Sequence, residues 1–191
     1  MVDEPKIVAI TGSQRAGSHT ATAVERTLDR AREAGARTDH VDLARLDLPL
    51  FDPDHPDAGD AVALRRRVRT ADAVLLGTPM YHGSVASPLK TALDYCGFDE
   101  FEGTTVGLLA VAGGAFPTPA LEHLRAICRA LDAWVLPTEV AVPDSHSGFE
   151  DGDFADPDLA ERAERLGEEL VRYAGVAAYE REGAVAARAG D

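Results

Sequence analysis

The chain has 191 residues, 45% of them hydrophobic and 27% charged, and 33 acidic against 19 basic side chains leave a formal charge of −14. That length suits one domain with a sizeable core, and the apolar fraction is too high for a disordered chain. A surface so acidic repels duplex nucleic acid and anionic membranes, so neither is expected as a partner.

Lys6–Thr11 (KIVAIT) reads as a first strand, ended by Gly12. Val24, Leu28 and Ala31 recur at helical spacing, and Gly35 stops that helix. Arg37–Asp42 is a weaker second strand, and Ala44–Ala58, dense in Asp and Pro, is an irregular loop. Ala61, Leu64 and Val68 mark a second helix, Ala73–Thr78 (AVLLGT) a third strand, and Val85–Tyr95 a third helix. Val106–Ala112 is the most continuous apolar run and reads as a central strand buried on both faces. Leu121, Leu124, Cys128 and Leu131 give a fourth helix, and Trp134–Val142 a fifth strand. Asp156 as cap and Pro157 at the first helical position open a last helix through Leu159, Ala163, Leu166 and Leu170. Strands alternating with helices predict a doubly wound α/β fold: a five-stranded parallel sheet between two helical layers. No linker divides it, so residues 1–175 are expected as one domain. Residues 176–191 form an Ala-, Gly- and Arg-rich tail that either frays or extends the last helix.

Cys96 and Cys128 supply neither a disulfide framework nor a C-x-x-C pair and read as small apolar packing residues. The longest apolar run is far short of the roughly 18 residues a membrane span needs. The N-terminus enters a strand directly, without a signal-peptide pattern, so a cytoplasmic protein is expected. Lys6 and Lys90 are the only lysines, every other basic residue being arginine. Acidity with so little lysine reads as adaptation to multimolar salt, where self-repulsion is screened within a few Å.

Ligands of such sheets bind beyond the carboxyl ends of the strands. After strand one comes Gly12-Ser13-Gln14-Arg15-Ala16-Gly17-Ser18-His19-Thr20, running into a helix. Hydroxyls at Ser13, Ser18 and Thr20, the Arg15 guanidinium and free helix N–H groups suit a phosphate. A Ser/Gly turn with an N-cap fits the same residues. This is neither a Walker A loop nor a G-x-G-x-x-G turn. After strand three comes Thr78-Pro79-Met80-Tyr81-His82-Gly83-Ser84, a tight path on which a flat ligand could approach backbone N–H groups. Met80 and Tyr81 fit packing as well, His82 reads first as a solvated loop histidine, and Lys90 and Asp94 fit an i,i+4 pair. Gly113-Gly114 after strand four admit a close ring or an ordinary turn. No triad, paired-carboxylate site or metal-ligand cluster stands out, so no catalytic side chain and no metal are expected.

Together these segments resemble the NAD(P)H-dependent FMN reductase family of flavodoxin-like proteins. The residues that carry the resemblance are Gly12-Ser13-x-Arg15-x-x-Ser18, Leu48-Pro49-Leu50-Phe51, Thr78-Pro79-x-Tyr81-x-Gly83-Ser84 with Leu89-Lys90 and Asp94, and Gly113-Gly114. The resemblance, read with the salt-adapted composition, suggests a haloarchaeal member. It implies strand order 2-1-3-4-5 and one non-covalent FMN. Ser13, Arg15, Ser18, His19 and Thr20 would lie at the phosphate, with Thr20 standing where the family often has Asn. Pro79, Met80, Tyr81, His82, Gly83 and Ser84 would lie along the ring, and Gly113 and Gly114 would form the family's third cofactor-binding loop. It also implies a ping-pong oxidoreductase that takes hydride from NADPH or NADH and passes electrons to a small acceptor such as free flavin or a quinone. A homodimer or homotetramer is implied as well, with Leu48–Phe51 and the Lys90–Asp94 helix near the interface. A flavodoxin-like electron carrier that does not itself oxidise nicotinamide fits the same residues. A receiver domain needs paired acidic residues after strand one, where this chain has Thr11-Gly12-Ser13, and a low-molecular-weight phosphatase needs a C-x₅-R loop there, where this chain has no cysteine.

Overall fold

The computed structural model describes residues 4–176. Its frame is a parallel sheet of β1 (Lys6–Thr11), β2 (Arg37–Asp42), β3 (Ala73–Tyr81), β5 (Thr105–Val111) and β6 (Trp134–Val142), in the order β2-β1-β3-β5-β6. Counting only the parallel strands, this is the expected 2-1-3-4-5 arrangement. The short β4 (Ser84–Val85) pairs antiparallel with the end of β3.

Strand alternation divides the core in two. Val8, Ile10, Val74, Leu76, Val106 and Leu108 face one layer, made by α2 (Ala61–Arg69), α3 (Ser87–Asp94) and α5 (Thr118–Ala130). Ile7, Ala9, Ala73, Leu75, Leu109 and Val111 face the other, made by α1 (His19–Glu33) and α6 (Pro157–Arg172). Every residue of β5 is buried, as a central strand covered on both faces requires. Helices α1 and α6 approach closely at Gly167, where a β-carbon would stand 2.4 Å from the Thr27 carbonyl oxygen. Arg26–Glu164 and Arg30–Glu168 pairs bridge the same two helices at the surface. Pro137 sits in the edge strand β6, where the register with β5 slips between Val106 and Leu108. An edge position and a bulge are where a residue without an N–H is tolerated.

The boundaries differ from expectation where a turn continues a strand. β3 does not stop at Thr78 but runs to Tyr81 and folds back through His82 and Gly83, at φ +52° and +76°. Positive φ at both central residues is the signature of a two-residue hairpin turn whose twist matches its strands. The same chemistry recurs at Asp151 and Gly152, φ +49° and +85°, joining β7 (Phe149–Glu150) to β8 (Asp153–Phe154) inside an acidic stretch with no sequence-predicted element. Helix α3 begins at Ser87 rather than Val85, because Val85 is taken up by the hairpin. A single turn, α4 (Phe98–Phe101), adds a sixth helix to the predicted five; Glu100 caps it by accepting from the Gly97 N–H at 2.8 Å. Ala44–Ala58 is irregular, as expected, after a 3₁₀ turn at Leu43–Arg45. The tail, Val176 apart, lies outside the described residues.

Candidate functional site

The loop after β1 is held by its own polar groups. The Gly12 N–H donates to the Gly77 carbonyl at 2.8 Å, tying the loop to β3. Ser13 Oγ accepts from the Arg15 N–H at 3.3 Å, and Ser18 Oγ caps α1 by accepting from the Ala21 N–H at 3.2 Å. Gly17, at φ +67°, makes the turn into the helix. The first two helical N–H groups, on His19 and Thr20, take no acceptor among the described residues. They carry the positive end of the helix dipole and point to a site for an anion. Among the described residues the Arg15 side chain has no ion pair or hydrogen bond, whereas most other described arginines are spent on carboxylates or carbonyls. An exposed, unpaired cation in a chain of charge −14 is available for an outside anion.

This loop forms one wall of a cleft of about 160 Å³, lined by Ser13, Arg15, Gly17, Ser18, His19, Thr20, Pro79, Met80, Tyr81, Val111, Gly113, Ser145 and His146. All lie at the carboxyl ends of β1, β3, β5 and β6, where an open α/β sheet binds its ligands. Thr20 is buried, with its methyl toward Gly77. Met80 also packs on the α2–α3–α5 core, and Tyr81 is 58% exposed at the cleft's open end. Neither Gly113 nor Gly114 has positive φ. A β-carbon at Gly114 would meet nothing within 4 Å, and one at Gly113 only His146 Nε2, at 3.9 Å. The fold does not require glycine at either position, and what the missing side chain leaves open at Gly113 is the cleft.

The cleft does not gather every sequence-predicted residue. His82 and Gly83 form the exposed hairpin turn, and Gly114 receives the Asp144 N–H at 3.1 Å; none of the three lines the cleft. Ser84 lines a separate groove of about 590 Å³ between α3 and α5, where its Oγ stands 3.0 Å from His123 Nδ1. Lys90 and Asp94 form an i,i+4 ion pair at 2.5 Å. Gly17, Val111, Ser145 and His146 line the cleft without having been singled out. Ser145 and His146 follow β6, so the carboxyl-edge rule, applied to the fifth strand as well, finds them.

Both thiols are buried, and burial pushes each up to about 12. Among the described residues no group of three or more His, Cys, Asp or Glu side chains could hold a metal ion, and no helix is long and apolar enough to cross a membrane. The cleft therefore offers hydrogen-bond donors, one unpaired cation and backbone contacts.

Residues 5–147 match the model of the family described as NADPH-dependent FMN reductase. The chain belongs to that family. An FMN-dependent NADPH-azoreductase of Staphylococcus aureus (strain USA300) is 31% identical over 187 residues, covering 92% of this chain and 98% of the relative. Among solved structures, an NADH:FMN oxidoreductase superposes with a TM-score of 0.72 at 21% identity, covering 89% of this chain and 90% of the other. An NAD(P)H:(acceptor) oxidoreductase from Paracoccus denitrificans gives 0.73 at 20% identity, over 88% and 96%. The last two share the fold. Family membership makes this chain an FMN-dependent oxidoreductase that uses a nicotinamide donor and passes electrons to a small acceptor.

Proposed function

We propose that the cleft holds the phosphate and ribityl chain of FMN, with the ring over Pro79, Met80 and Tyr81 at its open end. The observation that carries this reading is the unpaired Arg15 beside two free helical N–H groups. Ser13 and Ser18 have their oxygens turned to the Arg15 and Ala21 N–H groups and can donate their O–H, and Thr20 adds a third hydroxyl. A phosphate dianion there meets a guanidinium, hydroxyls and the α1 dipole at once, which is what an acidic protein needs to hold an anion. Gly113, with no side chain, leaves the end of β5 open to a ligand beside His146 Nε2. His82, Gly83 and Ser84 serve by shaping the hairpin that presents Tyr81.

FMN held there would supply the redox chemistry, as hydride acceptor at N5 toward the nicotinamide and as electron donor toward a second substrate. The protein's share is to fix the ring, shield one face from water and leave the other open for donor and acceptor in turn, a ping-pong order. NADPH or NADH is the donor. The azoreductase relative makes azo compounds the first acceptors to try, beside quinones and free flavin. Stoichiometric bleaching by the nicotinamide, followed by recovery on adding acceptor alone, tests the order; a ternary requirement refutes it. An electron carrier predicts no bleaching.

The same reading makes residues 1–175 one cofactor-binding domain with 176–191 as its tail, tested by the flavin content of a chain cut at 175. It places the protein in the cytoplasm. A dimer or tetramer is supported by exposed apolar groups beside α3. Leu50 is 82% exposed, Phe51 packs edge-on to Tyr95 at 5.2 Å, and the Tyr95 hydroxyl donates to the Pro49 carbonyl at 3.1 Å. Light scattering tests it, a monomer refuting it. The acid excess with two lysines supports a haloarchaeal source, and a melting temperature that falls when salt is removed is the expected sign.

A further inference from the structure

The segment after β6 is bound at both sides of the cleft. At one side the Ser145 N–H donates to the Ala112 carbonyl at 2.9 Å and the Asp144 N–H to the Gly114 carbonyl at 3.1 Å, pinning the turn to the end of β5. The Ser147 and Gly148 N–H groups close the turn on the Asp144 carbonyl at 2.9 and 3.0 Å. At the other side the Phe149 ring stacks on His19, the first residue of α1, with centroids 4.7 Å apart and planes at 19°. Phe154 backs Phe149 at 5.1 Å, and Asp153 stands 3.6 Å from Arg26. Residues 145–148 therefore cross from β5 to the helix start that carries the free N–H groups.

Charge is segregated along this segment. Asp144, Glu150, Asp151 and Asp153 are exposed and none lines the cleft. His146 is the single basic residue between Pro143 and Asp156, and it does line the cleft. Its Nε2 lies beside Gly113, and its ring has no hydrogen-bond partner among the described residues. A ring nitrogen without a partner among the described residues thus lines an anion cleft, on a turn whose acids do not line it. We propose that the segment from Pro143 to Phe154 is a strap across the phosphate end of the cleft, and that His146 donates from Nε2 to the FMN phosphate.

The proposal rests on the phosphate lying against the Ser13–Thr20 loop. The test titrates FMN and riboflavin, which lacks the phosphate, into the full-length protein and its variants, following quenching of flavin fluorescence. His146→Ala weakens FMN about tenfold, the loss of one hydrogen bond to a charged group at an exposed site, and leaves riboflavin unchanged. His146→Gln, which keeps an N–H donor near the place of Nε2, recovers most of the affinity. Since the ring makes no bond within the chain, both variants melt with the wild type. Unchanged FMN affinity in His146→Ala, or equal weakening of FMN and riboflavin, overturns the role of His146. If Arg15→Ala also leaves FMN binding unchanged, the phosphate is elsewhere, and the reading of the first loop falls with the proposal.

Discussion

Arg15→Ala isolates the electrostatic part of cofactor binding from the fold. The side chain is exposed and has no partner among the described residues, so its removal leaves no group buried and unpaired. A surface change of that kind moves stability by no more than about 0.5 kcal/mol. Against FMN the same change removes a hydrogen bond between two charged groups, worth about 1.5–3 kcal/mol where solvent is excluded. The exposure of Arg15 places it at the lower end, since water and counter-ions screen it. At about 1.4 kcal/mol per decade, FMN affinity falls about tenfold in dilute buffer. In molar salt, where the Debye length is about 3 Å, the long-range attraction disappears and only the contact part of the loss persists. Arg15→Lys restores the charge without the planar fork and falls between the two. The assay is flavin fluorescence quenching at low and at molar salt, with thermal melts of each variant. A dissociation constant unchanged at both salt concentrations, in a variant that melts like the wild type, refutes the placement of the phosphate beside Arg15.

Gly12→Ala pushes a β-carbon to 2.7 Å from Leu89 Cβ, on a fully buried residue of α3. It should destabilise the protein by about 1–3 kcal/mol, seen as a lower denaturation midpoint; an unchanged midpoint contradicts the tight loop–helix contact. Cys96 and Cys128, raised by burial from 9.0 to about 12, stay neutral in the folded chain while the unfolded chain ionises. Their contribution to stability is complete below pH 9 and is lost as the pH rises from 9 towards 12. Thiol reagents at pH 8 should react only after denaturation, and rapid labelling of the native protein would contradict the burial. His82→Ala leaves turnover with NADPH and a quinone within a few fold, because His82 occupies a turn outside the cleft. A loss of about 10²-fold or more in kcat would mark it as a proton donor instead.

The frame of the fold was legible because its signals are local and redundant. β5 reads as a strand buried on both faces from the apolar run Val106–Ala112, and all seven of its residues are buried; α6 announces its start with Asp156, whose side chain accepts from the Asp158 N–H, and Pro157. What escaped was decided by pairing at a distance. Met80 and Tyr81 belong to β3 because Val85 and Ser84 lie beside them, and only Gly83 hinted at that turn. Asp151-Gly152 is a hairpin signal, but its flanking runs, Phe149–Glu150 and Asp153–Phe154, are too short and acidic to read as strands. They hold together because Phe149 and Phe154 pack beneath them, against His19 from a distant part of the chain.

The wall after β1 was the most legible part of the cleft, since helix start, hydroxyls and cation lie in one run from Ser13 to Thr20. The wall after β3 was less so. His82, Gly83 and Ser84 follow Tyr81 in the chain, but a hairpin reverses direction and carries them out of the cleft. Ser145 and His146 enter from the fifth strand across the sheet, a neighbourhood that spacing along the chain does not encode.

The most direct test of the account is the absorption spectrum of the protein purified in high salt with FMN supplied, recorded before and after anaerobic addition of NADPH and then NADH. Flavin bands should be retained, bleach on adding nicotinamide and return when an acceptor is admitted. Bands that persist with both donors would contradict the oxidoreductase mechanism, and a protein that keeps no flavin would contradict the cleft itself.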